Sequence, residues 1–460
     1  MPNKWLINNY GSPLRRFLVN KGGLLRLLDF GDVRFFEDAT NNCCIFTLRH
    51  PEPGTPGTGE IEALAIDQRS YDDKFSNDFP TAVANCHPIS ITQFGENIPW
   101  IITPPEQQSH QKILSKMSQG DLRLKDLPIT ISYGVKTGKI GAFIIKNQKK
   151  EELVKQDPNS MQLLSKVISG RDVTLRGGWN GDWLITTFPA KNVDIDQFPA
   201  IKDFLLDFGK DRLEQIGTDK GGRKKTSYKW FETQDVIDYY KKFSEPKIFY
   251  LDITNKFPFS YDERGFFVTD RCWILTANDN SISLHALTAL LNSTATKLWI
   301  WHNCPDEQGA SRKVCKKYFE NFPVPPIERI TQLEEPGRRY IALNSELRKQ
   351  RENFRDMLKA NFTLTKPEKF ISIDDYGFDD FLMELKKQKI SLKPINQAEW
   401  QEAFNNNQKK CQEITKEIRE TDAEIEKIVA ELYGFTSEEA SVLRTWWAER
   451  IRQMLRCPSE

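Results

Sequence analysis

The sequence has no long apolar run and almost no net charge. No stretch approaches the roughly 18 consecutive apolar residues that a membrane helix needs, and the first residues lack a compact apolar core behind a basic start. Both absences argue against a membrane or secreted chain. A formal net charge of +1 over 460 residues supplies no bulk attraction for a polyanion, so a nucleic-acid surface must be a local patch. The eight cysteines form no C-x-x-C pair and no even framework. Cys304 and Cys315 have only His302 near them, too few ligands for zinc. The expectation is a reduced, cytoplasmic chain with no metal site. With 39% hydrophobic and 28% charged residues, it holds enough apolar material for two or three globular domains.

Enzyme signatures are missing as well. "GTDKGGRKKTSY" spaces Gly217 and Gly222 like a phosphate loop, but Arg223 and Lys224 stand where lysine and a hydroxyl residue are required, and no strand precedes it. Asp238 with Glu245-Pro246-Lys247 imitates a metal-nuclease cluster, yet Pro246 reads better as the start of the strand "KIFYLDIT". There is no G-x-S-x-G, H-E-x-x-H or strand-borne G-x-G-x-x-G, and five scattered histidines suggest no triad. No catalytic residue is assigned.

What is present divides into four regions. Residues 1–50 hold a short amphipathic segment and two apolar runs, Leu27 to Phe36 and Cys43 to Leu48, joined by turn-prone Asp38, Asn41 and Asn42, which predicts a strand pair. Residues 51–124 open on "HPEPGTPGTGE" and read as a linker or irregular segment. Residues 125–330 alternate short β-rich runs such as "ITISYG", "DWLITT" and "GFFVTDRCWILT" with helical stretches, so the fold class is α+β. Residues 331–460 are charged and helical. There Cys411, Ile414, Ile418, Thr421, Ile425, Ile428 and Leu432 recur at alternating steps of three and four, as do Tyr340, Leu343, Leu347, Gln350, Phe354 and Met357. That is a coiled-coil-like seam on two helices, satisfied equally by an intramolecular pair or by a second chain. Thr436, with Glu439 three residues on, caps a final helix.

Two basic clusters stand out. Lys220, Arg223, Lys224, Lys225 and Lys229 share one loop with glycines and with Tyr228 and Trp230, while Arg312, Lys313, Lys316 and Lys317 form a second run. Arginine offers a planar fork, and glycine lets the backbone come close to a phosphate. Taken alone, each loop reads better as a solvated surface, and Trp179, Trp183, Trp299 and Trp301 better as core positions than as stacking platforms.

The order of blocks resembles a known family. "LPITISYGVKTGKIGAFIIKN", "SKVISGRDVTLRGGWNGDWLITT", "KTSYKWFETQDVIDYYKKFSEPKIFYLDIT", "GFFVTDRCWILT", "HALTALLNSTATKLW" and "FENFPVPPI" together resemble the TaqI-like C-terminal specificity domain of Type IIG adenine DNA methyltransferases. "EIEKIVAELYGFTSEE" is similar to the helical tail of such proteins. The resemblance implies a target-recognition domain over 125–330 that binds double-stranded DNA in a bacterial or archaeal cytoplasm. It makes the 1–50 strand pair the end of a methyltransferase-like sheet. The S-adenosylmethionine-binding turn and the Asn-Pro-Pro-Tyr motif of the family have no counterpart in this sequence, so cofactor and chemistry are assigned to a catalytic half outside this chain.

On that reading Lys136, Thr137 and Lys139 in "GVKTGK" contact phosphate or orient the domain. Arg171 and Arg176 in "GRDVTLRGGW" are candidate DNA-binding residues, with an Asp172–Arg171 pair that fixes the turn as the other reading, and the loop at 220–229 and the run at 312–317 are the candidate groove contacts, Arg223 foremost. The alternatives are a subunit that completes a partner's sheet, or a fragment of an interrupted gene.

Overall fold

A computed structural model describes residues 1–21, 23–31, 33, 42–49, 60–66, 79–84, 87–90, 100, 102, 108–170, 173, 179, 181–307, 311–370 and 372–456. The chain is α+β and forms two compact units. One comprises Met1–Gln119, Leu298–Val314 and Phe435–Glu460; the other comprises Gly120–Lys297 and Cys315–Gly434. Most of the expected recognition domain and most of the helical region after it therefore share the second unit, while residues 298–314 of the one and 435–460 of the other belong to the first. No helix among the described residues is long and apolar enough to cross a membrane.

In the first unit, helix α1 (Ser12–Lys21) leads into strand β1 (Leu24–Asp29), which pairs antiparallel with β2 (Cys44–Leu48), Leu27 facing Phe46. The strand pair expected at 1–50 thus forms, but it is half of a sheet. β1 also runs parallel to β3 (Glu60–Ala65), and β3 pairs antiparallel with β4 (His87–Ser90). Residues 51–124, expected to be irregular, supply both these strands and helix α2 (Gln108–Met117). β3 is held because Ile61 and Ala63 join Trp5, Leu27 and Trp100 in one buried cluster. Arg15, 1% exposed, donates through Nη1 to the carbonyl oxygens of Trp5 (2.5 Å) and Asn8 (2.9 Å), fixing the entry turn.

The predicted cap of the last helix, Ser437–Arg456, is formed. Thr436 N–H donates to Glu439 Oε2 (2.7 Å), and Glu439 N–H donates to Thr436 Oγ1 (3.3 Å). Glu439 also pairs with Lys116 of α2 at 2.6 Å. Trp301 lies between two guanidiniums, Arg312 at 3.4 Å and Arg450 at 3.2 Å from its ring centroid, a cation–π arrangement on both faces. The rings of His110 and His302 meet edge-on at 5.5 Å. His110 Nδ1 and His302 Nε2 are buried without a hydrogen-bond partner among the described residues.

The second unit contains two four-stranded sheets. Its strands are β5 (Ile129–Tyr133), β6 (Ile144–Lys146), β7 (Leu164–Ile168), β8 (Asp182–Ile185), β9 (Lys247–Leu251), β10 (Phe259–Asp262), β11 (Phe267–Val268) and β12 (Cys272–Ala277). One sheet has the order β10-β9-β12-β5 and the other β11-β7-β8-β6. Helices α3 (Asn147–Gln156), α4 (Pro199–Leu213) and α5 (Leu284–Asn292) accompany them. Phe143, Leu184, Phe188, Leu205, Phe243, Val268 and Ile274 share one buried cluster across both sheets. Lys247, from the apparent nuclease-like cluster, is fully buried against Asp262 at 2.6 Å and also donates to the Phe243 carbonyl, so it is a core ion pair.

Helices α6 (Glu334–Asn361) and α8 (Pro394–Tyr433) pack antiparallel, with α7 (Phe378–Lys387) alongside. Arg339 bonds Thr421 (3.2 Å), while Phe354, further along α6, meets Phe404, earlier on α8. The predicted periodicity is therefore satisfied within the chain. On α6 the buried row is Tyr340, Asn344, Leu347, Arg351, Phe354 and Leu358, displacing Leu343, Gln350 and Met357. Arg351 is inside because its guanidinium pairs with Asp374 (2.6 Å) and Asp375 (2.8 Å), which apolar patterning does not register.

Candidate nucleic-acid interface

The two glycine-bearing motifs singled out in the sequence meet in the second unit. After β5 the chain turns through Gly138 (φ +73°), a conformation that favours glycine. The basic loop follows α4, with Gly217 (φ +124°) and Gly221 (φ +78°) making the reversal. Its backbone is tied: Arg223 N–H donates to the Glu214 carbonyl (2.7 Å), Gly217 N–H to the Arg223 carbonyl (3.0 Å) and Thr226 N–H to the Gln215 carbonyl (3.1 Å). Gln215 donates onward to the Lys229 carbonyl (3.1 Å) and accepts from Thr226 Oγ1 (2.7 Å). This is a folded loop with Lys224, Lys225 and Lys229 outside.

Arg223 joins the motifs, and it does so from the interior. It is 3% exposed. Nε donates to the Leu213 carbonyl (2.8 Å), Nη1 to that of Thr137 (2.9 Å), and Nη2 to those of Trp230 (2.8 Å) and Glu232 (2.7 Å). The guanidinium also lies 5.1 Å from the Phe143 ring centroid. Burial pushes its pKa down to about 10, with Glu214 and Glu232 acting against that. The expectation that Arg223 is a groove contact is corrected here: its donors are used on main-chain oxygens, and none points at a ligand.

The other candidates separate clearly. Lys224, Lys225 and Lys229 are exposed, and Lys136 and Lys139 are half-buried beside them on the partner turn. Thr137 is buried and contributes its carbonyl. Only the backbone of Lys220 is described, and Arg171 and Arg176 lie outside the described residues. The run at 312–317 is divided between the two units. Arg312, 8% exposed, pairs with Asp306 (2.9 Å) and stacks on Trp301, so it is structural; Lys313 lies 3.9 Å from Glu307. Both belong to the first unit, whereas exposed Lys316 and Lys317 belong to the second. Trp183 and Trp299 are core residues.

Between the basic loop and the segment after it lies a cavity of about 510 Å³, lined by Thr226, Ser227 and Tyr228 on one side and by residues 234–237 and Tyr239 on the other. The segment is pinned: Thr233 N–H donates to the Thr187 carbonyl (3.0 Å), Ala190 N–H to the Val236 carbonyl (3.2 Å) and Tyr239 Oη to the Tyr133 carbonyl (2.9 Å). Ile237, 1% exposed, is held at φ +48°, a strained conformation for a β-branched residue. Burial raises the Asp235 pKa, while Lys136 and Lys224 lower it. Gln234, Asp235 and Tyr239 were not singled out from sequence; their only signal is the polar pair "QD" following the basic, aromatic loop. Chemically, the site offers cations on a rim and a mixed donor and acceptor floor between aromatic walls.

Residues 200–324 match the TaqI-like C-terminal specificity domain, and residues 327–429 match a domain of unknown function, DUF8810. The chain is 22% identical over 340 residues to the Type II methyltransferase M.XhoI of Xanthomonas vasicola, covering 70% of this chain and 57% of that protein. It thus spans less than two thirds of that relative's length. Among solved structures, it is similar to the Type IIL restriction-modification enzyme MmeI in complex with DNA (12% identity, TM-score 0.49, 99% of this chain and 49% of that one). It is also similar to the type IIG restriction endonuclease BpuSI (15% identity, TM-score 0.34, 74% and 41%). The basic loop, Arg223 and the residues flanking the cavity fall inside the first matched segment, so this part of the candidate interface lies where the chain is similar to the TaqI-like C-terminal specificity domain.

Proposed function

We propose that this chain is the specificity part of a restriction-modification methyltransferase, recognising a sequence in double-stranded DNA and presenting it for modification at adenine N6. One observation carries the reading: Arg223 locks a basic loop of the matched segment against the "GVKTGK" turn, beside a concave surface lined by Thr226, Tyr228 and Gln234, and Lys136 and Lys224 act on Asp235 in that lining. Lysines beside it hold phosphates and fix register, whereas the polar groups of the concave surface read base edges. Electrostatic attraction is local, in keeping with a net charge of +1. The chain works in the bacterial or archaeal cytoplasm, where its substrate is.

Methyl transfer belongs to a catalytic part that binds S-adenosylmethionine, and no step assigned to this chain uses that cofactor. The sheet of the first unit is the place where the catalytic part joins. β2 is its end strand among the described residues, with Ile45 and Leu48 exposed. Its outer edge is taken at Cys44, which exchanges hydrogen bonds with Met1 (2.7 and 2.8 Å), and the part of a strand edge left open accepts a further strand.

Selection from random duplex DNA at two salt concentrations tests the reading. A discrete enriched sequence that persists at the higher salt is expected. Uniform recovery that vanishes with salt leaves only non-specific charge binding and overturns it.

A further inference from the structure

Gln234 is a side chain of the cavity lining whose hydrogen bonds to the protein are unmade. Gln234 is 8% exposed and lines the cavity, yet its carboxamide has no hydrogen-bond partner among the described residues. The amide atoms are not sealed inside the protein, so their donor and acceptor stay available to a ligand seated on the concave surface. Its position is fixed by packing. A methyl group at Gly138 would come within 2.6 Å of Gln234 Oε1, 2.9 Å of its Cβ and 3.2 Å of Arg223 Cδ. Glycine at that point, together with the Arg223 clamp, confines the carboxamide and holds it in place.

We infer that Gln234 reads one base of the recognised sequence, an adenine presented in the major groove. The inference rests on the DNA-recognition reading above and adds the residue and the base. A carboxamide pairs one acceptor and one donor side by side, and adenine offers the complement, the N6 amino group and N7. Guanine presents two acceptors there and leaves the carboxamide oxygen unmatched. Lys136 and Lys224, which both act on neighbouring Asp235, border the same floor and supply the phosphate contacts that set the register. The base is a recognition base, distinct from the one modified.

The test uses the full chain with Gln234→Ala and the isosteric Gln234→Glu, each selected against random duplex DNA, with melting temperature as the control for folding. The wild type is expected to enrich a discrete sequence. Gln234→Ala should lose about tenfold to a hundredfold of the preference for adenine at one position and keep the others. Gln234→Glu, which only accepts hydrogen bonds, should turn that position toward cytosine, whose N4 amino group donates. If Gln234→Ala fails to fold, the isostere decides. A wild-type sequence that both variants reproduce overturns the inference and leaves the recognition function standing. So does equal loss at every position with an unchanged melting temperature, because Gln234 would then be a support. A wild type that enriches nothing removes the recognition function, and this inference with it.

Discussion

Arginine 223 and lysine 224 are neighbours with opposite fates, and their variants should differ in kind. Arg223→Ala strands four main-chain oxygens, those of Leu213, Thr137, Trp230 and Glu232. Unsatisfied buried groups are costly, so a loss of about 3 kcal/mol in urea denaturation is expected, with DNA binding weakened for all sequences alike. A base-reading arginine would instead relax one position and leave stability unchanged. Lys224→Ala should leave stability within about 0.5 kcal/mol of wild type, keep the selected sequence and lower the slope of log affinity against log salt by about one. The residue types of this site were legible in the sequence; their assignments were not. A run of basic residues identifies the loop, but which member turns inward depends on carbonyls contributed by residues as distant as Thr137, and no local pattern encodes that.

At the scale of elements, the helix pair depends on a buried charge. Arg351 and Asp374 are 2% and 4% exposed at their side chains. Arg351→Met, which leaves the carboxylate alone in the core, should cost about 3–5 kcal/mol, and adding Asp374→Leu should recover most of it. Paired urea denaturations measure both; additive losses would mean that the two residues do not act as a pair. Helix existence and the final capping box were readable because they depend on neighbours in sequence. The α6 seam was displaced by one residue at every second position because Asn344 and Arg351 occupy inward sites that look polar. β1 and β2 were readable as adjacent apolar runs. β3 was not, since it is stabilised by parallel pairing with β1, a non-local contact, and its sequence "EIEALA" follows a proline- and glycine-rich stretch.

For the whole molecule, the first unit should be sensitive to acid. Burial, then the charges of His110, Arg312 and Arg450, brings the His302 pKa from 6.5 down to about 3, and burial also lowers that of His110. The unfolded chain protonates His302 near pH 6.5 while the folded chain resists until about pH 3, so stability falls as pH drops through that window. His302→Phe should flatten this acid limb when denaturation is followed by tryptophan fluorescence, since Trp446 contacts His110; an unchanged limb would place the acid sensitivity elsewhere. The division of the chain has a further consequence, for inheritance. The backbone passes between the two units after residues 119, 297, 314 and 434, so a single genetic crossover cannot exchange either unit whole. Yet every element of the candidate interface, from Lys136 to Tyr239, lies in one uninterrupted stretch, Gly120–Lys297. A double crossover at its two ends would transplant the recognition surface as an internal cassette, a route by which a lineage could acquire a new target sequence while the α6–α8 pair and the first-unit sheet are inherited unchanged.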